Sequence, residues 1–137
     1  MANYSEFHDG FLDGLLLDDS SAHIFLRTYQ QERFVIEASN VAALNAGDFK
    51  QGNIIFEVLT RSANELTLED IEAAHGPFPE VSRSRYAKRD LELALEKNLI
   101  LLEINPSYGA TCLVLAATMD LCRRQKWVER HMLAKAV

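Results

Sequence analysis

Apolar and polar side chains alternate with a two-residue period through much of the chain, the pattern of strands with one face toward a core. Residues 11–17 place Phe11, Leu15 and Leu17 against Leu12 and Leu16, which predicts a central strand with apolar contact on both faces. The turn cluster Asp18, Asp19, Ser20 and Ser21 follows, and residues 22–29 then alternate Ile24 and Leu26 against His23, Phe25 and Arg27. The two read as a hairpin. Residues 33–38 form a third strand. Asn45, Ala46 and Gly47 mark a turn, and residues 53–61 make a fourth, with Ile54, Phe56 and Val58 opposed to Ile55, Glu57 and Leu59.

The period then lengthens. Thr67 stands as an N-cap with Asp70 three residues on, which opens a short helix to about Ala74, and Gly76, Pro77 and Pro79 stop it. Residues 84–97 repeat apolar positions at helical spacing (Ala87, Leu91, Ala94, Leu95) within a charged surround. Residues 99–104 and 110–121 are densely apolar around a turn at Asn105, Pro106, Ser107 and Gly109, and they predict a closing hairpin. Trp127, Val128, His131 and Met132 fall on one face of a last helix. The fold class is α+β: one antiparallel sheet of about six strands with two or three helices.

Composition adds a boundary and several exclusions. Residues 1–122 carry 9 basic and 19 acidic side chains, net −10, whereas residues 123–137 carry 5 and 1, net +4. An acidic single domain thus ends in a basic helix or tail. The acidic body repels phosphate backbones, so nucleic-acid binding is unsupported. No apolar run approaches the ~20 residues of a membrane span, and the acidic first twenty residues are unlike a secretory leader. Cytoplasmic residence follows, with Cys112 and Cys122 reduced and too far apart along a strand to bridge.

The most unusual segment for chemistry is residues 7–14, where His8, Asp9 and Asp13 stand beside Gly10 and Gly14. On one straight strand Asp9 and Asp13 share a face but lie about 14 Å apart, which argues against a shared metal. His8 would face the other way. A structural role is the favoured alternative: His8 or Asp9 bonds to backbone at a strand end, and the glycines admit a bulge or a close backbone approach. Asp9→Ala is expected to remove a buried hydrogen bond. His23, His75 and His131 have no spacing of metal ligands, so no metal or other cofactor is expected. No nucleophile elbow and no phosphate loop occurs. The second candidate surface is the tail, where Arg123, Arg124, Lys126 and Arg130 surround Trp127 and would suit an acidic partner.

The runs Phe7-His8-Asp9-Gly10, Gly52-Asn53-Ile54-Ile55, Leu102-Glu103-Ile104 and Pro106-Ser107-Tyr108-Gly109-Ala110 resemble those of small uncharacterised bacterial β-rich proteins, some of which are similar to toxin-immunity proteins. The resemblance implies a sheet-forming domain that binds a protein partner and brings no catalytic residue. The sequence therefore reads as a non-enzymatic interaction domain. The alternative is a small hydrolase-like or ligand-binding protein with one pocket enclosing His8, Asp9 and Asp13. A homodimer is expected, built on an exposed final strand and the apolar stripe of the tail.

Overall fold

The computed structural model describes residues 2–76 and 83–133, so Pro77 and Pro79 lie outside the described residues. Among these residues the strands are β1 (Ala2–Asn3), β2 (Phe11–Asp18), β3 (Ser21–Arg27), β4 (Arg33–Gly47), β5 (Asn53–Ser62), β6 (Ile100–Tyr108) and β7 (Thr111–Arg123). The helices are α1 (Leu68–His75), α2 (Arg83–Lys97) and α3 (Arg124–Val128), the last continued by a π-helical turn over Glu129–Leu133. The α+β class and the antiparallel pairing are as the alternation predicts.

What alternation does not predict is closure. β2 pairs with β3, β3 with β4, β4 with β7, β7 with β6, β6 with β5, and β5 with β2, all antiparallel, so six strands form a ring. Inside it lie Leu12, Ala22, Ile24, Leu26, Ile36, Ala38, Ile55, Val58, Leu102, Ile104, Cys112, Val114 and Ala116, all at most 2% exposed. A second apolar layer forms outside the ring, where Ile71 and Ala74 of α1 and Ala87, Leu91 and Ala94 of α2 meet Ala43, Leu101, Leu113 and Leu115.

Four local expectations are corrected by this arrangement. β7 is not an edge strand, because β4 and β6 flank it, and the dimer surface expected there is covered by the chain's own elements. β4 continues through Asn45, Ala46 and Gly47, which pair with Leu113, Cys112 and Thr111 instead of turning. β6 likewise runs on through Pro106 to Tyr108. Phe56 is half exposed where strict alternation aligns it with Val58, because the β5–β6 register shifts between Ile54 and Ile55 and again between Ile55 and Glu57, the step that contains Phe56.

β2 also differs from a central strand. Only Phe11 and Leu12 meet β5, opposite Ile54 and Asn53. The rest of the seam is closed by the preceding residues. The backbone amide of Tyr4 donates to the Val58 carbonyl at 2.9 Å, that of Asp9 to the Ile55 carbonyl at 3.0 Å, and that of Ile55 to the Gly10 carbonyl at 2.9 Å. Phe7, fully buried, caps the core at the same place with its ring edge on Phe34. Asn53 ties the adjoining corner: its Oδ1 accepts from the amides of Lys50 and Ala110, and its Nδ2 donates to the Leu12 carbonyl. Gly109, at φ +89°, gives it room, since a Cβ there would come within 2.4 Å of Asn53 Oδ1.

Outside the ring, Arg61 fixes α1 to the sheet. Its guanidinium donates to both carboxylate oxygens of Asp70 (2.7 and 3.0 Å) and both of Glu103 (2.9 and 3.1 Å). Asp70 also completes the capping box with Thr67. Burial alone raises the Asp70 carboxyl, but the hydrogen bonds from Arg61 and Thr67 outweigh it and hold the pKa below the usual value.

Two predictions follow from these contacts. A Cβ on Gly10 would stand 2.2 Å from the Arg27 carbonyl oxygen, whereas one on Gly14 would meet nothing within 4 Å. Gly10→Ala is expected to cost about 1–3 kcal/mol or more, seen as a fall in melting temperature, and Gly14→Ala to change it little. For Asp70 the folded-state pKa is depressed, so the stabilisation is present at neutral pH and lost as pH falls below about 4. Urea unfolding should show Asp70→Asn destabilised by about 1–3 kcal/mol at pH 7, with that difference shrinking towards pH 2.

Candidate functional site

The segment carrying His8 and Asp9 is not strand. Ser5–Phe7 forms one 3-10 turn, and Asp9 then takes φ +62°, which reverses the chain into β2. His8 Nδ1 lies 2.7 Å from the Phe56 carbonyl oxygen, and a carbonyl only accepts, so Nδ1 carries the proton and donates. The Asp9 carboxylate is 63% exposed, and its Oδ2 lies 3.7 Å from His8 Nε2. The buried hydrogen bond expected of Asp9 belongs to its backbone amide.

Asp13 points elsewhere. It occupies a β-bulge, since the β2–β3 register shifts between Leu12 and Gly14. Arg27 Nε reaches both its carboxylate oxygens (2.8 and 3.0 Å), and an Arg124 amino group reaches one at 2.9 Å. Two shallow hollows flank His8. One, of about 350 Å³, is lined by Tyr4, Ser5, His8, Phe56 and Glu57. The other, of about 390 Å³, includes His8, Asp9, Thr28, Tyr29 and Glu32. Asp13 lines neither hollow.

The tail also has a home. Trp127 is buried under α3, its ring 5.0 Å from that of Phe25 and its indole N–H donating to His23 Nδ1 at 2.9 Å. Arg124 bonds the Leu26 carbonyl as well as Asp13, and Arg123 pairs with Glu32 at 3.1 Å. Arg130 stands 3.5 Å from Glu37. Of the five tail residues singled out by composition, Trp127 is buried and Arg124 half-buried, whereas Arg123, Lys126 and Arg130 are exposed. The side chain of Met132 lies outside the described residues. Arg123, Arg124 and Arg130 thus each pair with an acidic side chain of the barrel, Arg123 and Arg130 while their own side chains stay exposed.

One constellation escaped the sequence reading. His23 on β3 and Glu37 on β4 are direct cross-strand neighbours on the outer face, and the turn after α3 brings His131 onto them. His131 Nε2 is 3.1 Å from Glu37 Oε1, and one donor atom from each of the three residues lies within 4.8 Å of the others. His23 is buried, and the side chains of Glu37 and His131 are 17% and 31% exposed. Positions 23, 37 and 131 have no periodic relation in sequence. The alternation that turns His23 outward was the one available signal.

A further exposed feature is the far half of β2. Beyond Leu12, β2 is paired with β3 alone among the described residues, and its outer edge bears Leu16 (45% exposed) and Leu17 (62%) beside Asp18 and Asp19. No protein-family model, curated protein or solved structure matches the chain.

Substitutions separate these roles. Asp9→Gly should leave the melting temperature nearly unchanged, because glycine accepts a positive φ, while Asp9→Ala should cost about 1–2 kcal/mol. Trp127→Ala should cost about 3–5 kcal/mol by denaturant unfolding, and Trp127→Phe should recover the packing but not the bond to His23.

Proposed function

We propose that this is a non-enzymatic protein-interaction domain, of the immunity type that the sequence resemblance implies, which binds a basic protein in the cytoplasm. The observation that carries the reading is the outer half of β2: a strand edge without a second partner strand among the described residues, with two exposed leucines and a carboxylate pair at its tip. Unpaired backbone accepts an added strand, apolar side chains supply area, and Asp18 and Asp19 favour a positively charged partner. The net −10 of residues 1–122 steers such a partner and opposes nucleic acid. No described helix is long and apolar enough to cross a membrane. Both cysteines are free, and burial pushes the Cys112 thiol up to about 12, which suits packing and not redox chemistry.

Affinity capture with the intact chain from the cells that make it tests the proposal. A basic protein should be retained at low salt, released as ionic strength rises, and lost with Leu17→Asp. Equal retention by that variant, or capture of no basic protein, would count against it.

A further inference from the structure

We infer that His23, Glu37 and His131 form a binding site for a divalent transition metal of the zinc type, which pins α3 and its following turn to the barrel. Two imidazoles and a carboxylate are a common zinc donor set, with the fourth position left to water or a ligand. His23 and Glu37 are held opposite one another by the β3–β4 ladder, so two of the three ligands sit on a rigid surface. Tetrahedral coordination at about 2.1 Å places ligand atoms about 3.4 Å apart. The 3.1 Å between His131 Nε2 and Glu37 Oε1 is close to that, and side-chain torsion closes the rest from 4.8 Å. His131 is the most exposed member, and its side of the cluster opens to solvent.

The bond from Trp127 to His23 and the approach of Arg130 to Glu37 oppose the ion, and both yield to it. Trp127 donates to His23 Nδ1, which puts the ring's own proton on Nε2. Coordination through Nδ1 takes the lone pair that accepts from Trp127, and coordination through Nε2 moves the ring proton to Nδ1, so either route breaks that one bond, a loss far smaller than the affinity of such a donor set for zinc. Arg130 stands 3.5 Å from Glu37, but its side chain is 54% exposed, so solvent can take the place of that pairing.

Trp127, the chain's single tryptophan, reports the event. The full chain is titrated with Zn²⁺ and separately with Co²⁺, following tryptophan emission, heat of binding and cobalt absorption. One equivalent of Zn²⁺ should bind with micromolar or tighter Kd, emission should change with the same end point, and Zn²⁺ should raise the melting temperature. Glu37→Gln and His131→Ala alter partly exposed side chains, and each should weaken binding at least about tenfold while still melting cooperatively without metal. His8→Ala should bind as the parent does. Absence of saturable binding, or unchanged affinity in Glu37→Gln and His131→Ala, would overturn the inference.

Discussion

A ring of strands closes only where its last gap is bridged, and here β2 and β5 meet at two residue pairs. The rest of the seam depends on residues 4–10, whose backbone bonds to Ile55 and Val58 stand in for the missing ladder. Gly10 lets this segment lie against the Arg27 carbonyl, Asp9 reverses the chain, and Phe7 fills the end of the core. His8 adds a side-chain bond to Phe56. The residues most suggestive of chemistry in the sequence are thus the closure of the barrel. Without these bonds the carbonyls of Ile55 and Val58 and the amide of Ile55 would lack these partners beside the core, a cost of about 1–3 kcal/mol for each group left unpaired.

Closure at one seam sets what the outside of the barrel must do. Helices α1 and α2 cover the outer faces of β4, β6 and β7, and α3 covers β3 and β4. Charge assists both: Arg61 joins α1 to the sheet, and Arg124 joins the tail to Asp13. The hairpin of β2 and β3 is left projecting past the start of β5, which is why one strand edge stays open.

Much of this was legible in the sequence. Strands and helices follow from period, and the capping box of Thr67 and Asp70 was visible as residue types three apart. The glycines at 10 and 14 marked a close approach and a bulge, and both occur. Partner identity was not legible, because alternation tells which face a residue occupies and not which strand lies beside it. That gap explains β7, which an apolar strand near the end of the chain placed at an edge, and β2, whose apolar positions on both faces reflect a projecting hairpin. It also explains the candidate cluster: His23 and Glu37 meet through register, and His131 through the fold of the tail. The resemblance motifs gain a physical reading, since Asn53 binds the Ala110 amide and the Leu12 carbonyl beside Gly109.

The claim that the amino-terminal segment closes the barrel is tested most directly by native-state amide hydrogen exchange. The amides of Tyr4, Asp9 and Ile55 bridge the seam, and those of Leu102 and Val114 lie in the β6–β7 pairing. If closure and core are one cooperative unit, the seam amides with slow exchange should open at the same free energy as the β6–β7 amides and with the same denaturant dependence. Seam amides that exchange by a low-energy local opening, while the β6–β7 pairing keeps its full protection, would contradict the account.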